Sequence, residues 1–186
     1  MKIKLTKLYF AALFLPAALA ALTVVAQNET PNNAELAEEV QSAITADISA
    51  SVLPAESVTP TLLKPIFEKD RWKAEEVNGG LKLKDPRSPR VIAVEWSPEK
   101  ELISFVMWYK FDDFVFKRQK VDLANRINSE VMLTRASVDE EGDLRFDYWM
   151  SYSSGVSGDQ LLSALRNFER TTEAALRIKD KRDIVK

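Results

Sequence analysis

The chain has 186 residues, with 26 Lys+Arg against 28 Asp+Glu and neither Cys nor His. That composition excludes disulfides, Cys nucleophiles, His general bases, Ser-His-Asp triads and zinc sites built on His or Cys. An enzyme would be left with carboxylate, Lys, Ser or Tyr chemistry or an all-oxygen metal site, and the acidic balance argues against nucleic-acid binding, which needs a basic face to displace counterions.

Lys2, Lys4 and Lys7 precede a stretch from Leu8 to Leu22 that is almost entirely apolar. Val24-Val25-Ala26 then supplies the small-x-small pattern that a signal peptidase cuts after. Residues 1–26 therefore read as a bacterial signal peptide, and the expected product is periplasmic or secreted. Leu8 to Asn28 is also free of charge, close to the roughly twenty residues of a spanning helix, so an inner-membrane anchor facing the periplasm is the alternative. A membrane enters only if the signal stays uncleaved; without Cys there is no lipoprotein anchor. Removing the three lysines leaves 23 bases against 28 acids, a net charge of about −5.

Residues 27–58 form a polar leader without an aromatic residue. Within it Leu36, Val40, Ile44 and Ile48 recur every four residues among Glu35, Glu38, Glu39 and Asp47, a narrow amphipathic stripe. Two readings stand: a partly disordered leader, or a helix that docks on a partner or on the domain itself.

The domain is expected over residues 59–180. Leu62, Leu63, Ile66 and Phe67 fall at helical spacing, with the start bracketed by Pro60 and Pro65, the latter tolerable only in a first turn. Asn78-Gly79-Gly80 signals a turn before the alternating Leu81-Lys82-Leu83-Lys84. Val91 to Trp96 and Leu102 to Phe111 read as strands, the second apolar on both faces and so central in a sheet. Lys117 to Ser129 fits a helix with Val121, Ala124 and Ile127 inward and Leu123 beside them. Val131 to Val138 and Leu144 to Ser151 form a hairpin around Asp139-Glu140-Glu141-Gly142-Asp143. In the last helix Ser157 and Gln160 make a capping box, and Val156 and Leu161 a hydrophobic staple. The fold class is α+β: one antiparallel sheet of about five strands with helices on one face, in the order helix, three strands, helix, two strands, helix.

The second half of the chain resembles the YbjN family of bacterial proteins. The resemblance rests on the Asn-containing helix Val121 to Asn128, the strand and acidic turn Val131 to Gly142, and Leu144 to Tyr152. Gly155-Val156-Ser157 and the helical run Leu161 to Phe168 complete it. It spans roughly Leu62 to Ile178 and is strongest after Val121. It implies a type III secretion chaperone-like fold and the label of a sensory transduction regulator, which names no reaction. Chaperones of that fold hold an extended client segment, often as dimers. An export signal departs from the many family members that look cytoplasmic, and no catalytic or ligand residue transfers.

Several constellations have plain structural readings. In the Asp139–Asp143 turn Gly stands fourth instead of sixth, and Met150 occupies the twelfth place of a calcium loop, so a hairpin turn explains it. Asp112 and Asp113 point opposite ways in an extended segment. Ser151 to Ser157 lacks the Lys and glycines of a phosphate loop and reads as a turn and helix cap.

The aromatics carry more. Trp96, Trp108, Tyr109, Tyr148, Trp149 and Tyr152 crowd into sheet segments, and most belong in the core. Yet Trp149 falls opposite Leu144, Phe146, Tyr148 and Met150, and Trp108 shares a strand face with Ser104 and Lys110. With helices on one side only, Trp108, Lys110, Arg145 and Trp149 form a candidate partner-binding patch on the open face; cover by the leader or plain burial is the opposing reading. The expectation is an exported, non-enzymatic module without a cofactor that binds another protein or itself. The alternatives are a small-ligand sensor with a pocket between sheet and helices and, last, a carboxylate-based enzyme.

Overall fold

An antiparallel sheet of six strands organises the computed structural model, which describes residues 51–186. The signal sequence and the Leu36–Ile48 stripe lie outside the described residues. In chain order the elements are β1 (Val52–Leu53), α1 (Pro60–Asp70), β2 (Lys73–Val77), β3 (Gly80–Lys84), β4 (Val91–Ser97), β5 (Leu102–Tyr109), α2 (Lys117–Glu130), β6 (Arg135–Val138), β7 (Leu144–Ser151), β8 (Val156–Ser157) and α3 (Gly158–Lys179). The large sheet runs β2-β3-β4-β5-β7-β6, and β1 pairs with β8 apart from it.

Alternation divides the sheet residues between two faces. Leu81, Leu83, Ile92, Val94, Ile103, Phe105, Met107, Leu144 and Phe146 line the inner one and are buried. They share one core with Leu63, Ile66 and Phe67 of α1, Leu123, Ala124 and Ile127 of α2, and Leu161, Leu165 and Phe168 of α3. Phe105 is the hub: its ring lies 6.2 Å from Phe67, 6.1 Å from Tyr148 and 6.3 Å from Phe168. Each such buried side chain contributes on the order of 1.5–3 kcal/mol.

The α+β class, the order of helices and the interior place of β5 are as the pattern predicts. Two things differ from the expected single sheet of five strands: β2 is a further strand, so the first helix is followed by four strands and the large sheet has six, and β1 with β8 forms a second, two-stranded sheet. Lys73-Ala74-Glu75-Glu76-Val77 buries only Ala74, so its sequence shows no apolar alternation. Helix α1 begins at Pro60, capped by Thr59 Oγ1, which accepts from Leu62 N–H at 3.3 Å. Pro65 is therefore interior, not in the first turn as expected. Its missing N–H leaves the carbonyl of Thr61, on an exposed turn, without its helical donor. Strand β6 starts only at Arg135, because Leu133 turns the chain with φ 75°. Val121, expected inward, is exposed.

Two local features match closely. Ser157 Oγ accepts from Gln160 N–H at 3.2 Å while Gln160 Oε1 accepts from Ser157 N–H at 2.8 Å, the full capping box of α3. The Asp139–Asp143 segment is a hairpin turn, with Gly142 N–H donating to Asp139 O and Asp143 N–H to Asp139 Oδ1. Packing also extends upstream of α1: Leu53 and Val58 are buried in the core. At Gly155 (φ 85°) a Cβ would stand 2.7 Å from Leu53 O, so glycine lets β1 close on the β7–β8 turn.

Candidate functional site

The outer face of the sheet has no helix over it among the described residues. Pairing of β5 with β7 sets Ser104 opposite Trp149, Val106 opposite Asp147 and Trp108 opposite Arg145. Trp108 is 40% exposed and Trp149 45%, yet Ser104, Val106 and Asp147 between them are buried. The two indoles and the Arg145 side chain wall in the small residues, giving a face of raised aromatic rims around a low centre.

Arg145 ties this face together. Its Nε donates to Asp147 Oδ1 at 2.7 Å, its Nη2 lies 3.4 Å from Glu95 Oε1, and its guanidinium stands 5.5 Å from the Trp108 ring centre. Burial opposes the charge, but the carboxylates of Asp147, Glu95 and Asp139 together more than offset it, so the Arg145 pKa is raised. Arg135 of β6 lies 6.0 Å over the Trp149 ring. A groove of about 520 Å³ runs between them, lined by Arg135, Ser137, Arg145, Asp147 and Trp149 with the start of the acidic turn. Lys110 lies outside this arrangement: it is exposed past the end of β5, and its carbonyl accepts from Lys186 N–H at 2.8 Å.

Toward β2 the same face carries Lys73, Glu75, Lys82, Ala93 and Lys84, as register with β3 and β4 requires. On the strands Lys73, Lys82, Lys84, Arg135 and Arg145 stand against Glu75, Glu95 and Asp147, and Asp139 and Glu140, which line the groove beside Trp149, bring the charge of the face to zero. The described residues as a whole are balanced: three of the chain's 26 bases and five of its 28 acids precede residue 51.

The sheet edges differ. At β6 the Asn128 side chain of α2 accepts from Ala136 N–H at 2.7 Å and donates to Ala136 O at 2.8 Å, so its amide stands where another strand would pair. At β2 the sole strand partner among the described residues is β3.

On the helix side a charged joint closes the layers. Arg71 Nη2 lies 2.6 Å from both Glu169 carboxylate oxygens, its Nε lies 3.3 Å from Asp85 Oδ2, and its guanidinium stands 4.9 Å over Trp72. Arg90 pairs with Glu173. Burial pushes the Glu169 carboxyl up although Arg71 and Arg90 pull it down. The Arg87 N–H, donating at 2.9 Å, holds Asp85 below its ordinary value against the opposing effect of burial. These charges are already paired with one another and fasten α1, the β3–β4 connection and α3.

Of the residues singled out by sequence, Trp108, Arg145 and Trp149 share the outer face and Lys110 lies at its margin. Arg135, Asp147 and Glu95 were missed. Strand alternation put Asp147 beside Trp149, but the pairing of Arg135 with that ring depends on register. Also missed are Phe114 and Phe116, 93% and 76% exposed in the segment before α2. Asp112, considered as half of a carboxylate pair, meets Lys186 Nζ at 3.0 Å. A groove of about 330 Å³ between β7 and α3, bordered by Tyr148, Met150 and Asn167, opens to solvent. No described helix is long and apolar enough to cross a membrane.

Comparison with known proteins bears on this fold. No curated protein matches the chain. The crystal structure of E. coli YbjN, described as "a putative transcription regulator", superposes with a TM-score of 0.60, at 14% identity, over 73% of this chain and 99% of that one; at that identity the likeness speaks for the fold. A family model, YbjN, "Putative bacterial sensory transduction regulator", matches residues 62–177. Matched over most of its length and sharing the family's fold, the chain belongs to the YbjN family.

Proposed function

We propose that this protein is an exported, non-enzymatic regulatory module that binds a polypeptide segment on the open face of its sheet. The observation that carries the reading is the exposure of Trp108 and Trp149 on a face with no helix over it among the described residues. Indole rings supply apolar area at low cost in conformational entropy, and the paired charges of Arg145, Asp147 and Glu95 beside them supply polar contacts that fix a partner's register. The family description names a regulator and no reaction, which agrees with a binding role. The Lys2–Ala26 signal supports placement outside the cytoplasm.

The test is capture from the exported fraction with the wild-type protein and with Trp149→Asp, whose circular dichroism should be unchanged because the ring is solvent-facing. Polypeptides retained by the wild type should be lost with the variant. Equal retention by both proteins overturns the assignment to this face.

A further inference from the structure

An open sheet has two edges, and this one guards only one of them. At β6 the outward N–H and C=O of Ala136 are occupied by Asn128. At β2 the Asn78-Gly79 turn has positive φ at both residues, 51° and 77°, which makes a two-residue hairpin closed by the hydrogen-bonded pair Val77 and Gly80. Alternation from that pair turns the N–H and C=O of Ala74 and Glu76 away from β3. No strand pairs with them among the described residues.

We propose that β2 pairs with β2 of a second copy of this chain, antiparallel across a two-fold axis at Ala74. Charge selects that register. With Ala74 opposite its own copy, Lys73 faces the partner subunit's Glu75, and Glu75 faces the partner subunit's Lys73, on the outer face of a continuous twelve-stranded sheet. The neighbouring two-fold registers that use the same outward groups bring Glu75 against Glu75 or Glu76 against Glu76, and like charges directly opposed are destabilising. The existing contact of Glu75 with Lys84, at 3.6 Å between side chains 62% and 51% exposed, is a weak competitor.

Asn128 determines where assembly stops. A β2-to-β6 contact is head-to-tail and would repeat into a filament. With the outward groups of Ala136 occupied, that contact loses its central donor and acceptor. The β2 pair uses one edge of each copy and closes at two. In this register Lys73, Ala74 and Glu75 of each strand overlap, and Glu76 would face Trp72, whose N–H already donates to Phe67 O at 3.3 Å; so short a contact buries little surface, and association is weak, in roughly the micromolar range or above. This inference does not rest on what the outer face binds.

The experiment is sedimentation velocity of the purified chain over roughly 10 to 500 µM, which spans that affinity range. The wild type should shift from monomer toward dimer as concentration rises. Glu75→Lys, which sets lysines against lysines, should remain monomeric throughout. Lys73→Glu combined with Glu75→Lys restores the complementary pairs and should restore the dimer. Asn128→Ala should add species larger than the dimer. A wild type monomeric at the highest concentration, a Glu75→Lys protein that dimerises normally, or a charge-swapped double variant that stays monomeric overturns the β2 pairing. An Asn128→Ala protein that stops at the dimer overturns the guarding role of Asn128.

Discussion

The Arg71 guanidinium meets both carboxylate oxygens of Glu169 at 2.6 Å, joining residues 98 positions apart and fastening the end of α1 to the middle of α3. Glu169 is nevertheless buried deeply enough that its carboxyl is displaced upward from 4.5. A group whose folded value exceeds its unfolded one stabilises the fold fully below about 4.5 and loses that contribution as pH rises through the folded value. Asp85 has the opposite sign: its lowered value gives stability present above 3.8 and lost as pH falls. Urea denaturation of wild type and Glu169→Gln at a series of pH values separates the two. The wild-type advantage over the variant should shrink as pH rises above about 4.5. A difference independent of pH would show that Glu169 titrates as an ordinary glutamate.

Replacing Asn128 by Ala removes two hydrogen bonds and leaves the Ala136 N–H and C=O without partners beside α2. The expected cost is about 1–3 kcal/mol, read by denaturation in dilute solution. Hydrogen exchange at the Ala136 amide should accelerate, while the Phe105 amide, in the sheet interior, should keep its protection relative to the global stability. Unchanged exchange at Ala136 would mean that the Asn128 amide does not hold the strand.

Gly80 is fixed by a close approach. A Cβ there would lie 2.4 Å from the Val94 carbonyl oxygen of the adjacent strand. Gly80→Ala must force β3 away from β4 and should cost about 1–3 kcal/mol, as overpacking does. Thermal unfolding followed by circular dichroism should show the loss. A variant as stable as the wild type would mean that the two strands separate there without strain.

What the sequence disclosed depended on how each element is buried. Strand β7 buries one face and wets the other, so Leu144, Phe146, Tyr148 and Met150 separated cleanly from Arg145, Asp147 and Trp149. Helix α3 carries its own start signal in Ser157 and Gln160. Strand β2 escaped because an edge strand with one buried residue needs no apolar alternation, and its evidence lies in pairing with β3. The site was legible in the same proportion. Alternation placed Trp108, Arg145 and Trp149 on one face. The ion pairs of Arg145 and the approach of Arg135 to Trp149 arise from register across three strands, which local pattern does not encode. Asn128 is equally silent in sequence, since its partner is a main-chain group eight residues on.

The split of the four tryptophans between the two sides of the sheet makes the protein its own optical instrument. Trp72 is sealed in the core and Trp96 packs against it, whereas Trp108 and Trp149 face water beside guanidinium groups. Emission from the first pair reports unfolding. The second pair emits to the red and is open to quenching, by iodide more than by caesium because the neighbouring cations attract the anion. A ligand or partner that occludes them is thereby visible in the untagged, unlabelled molecule.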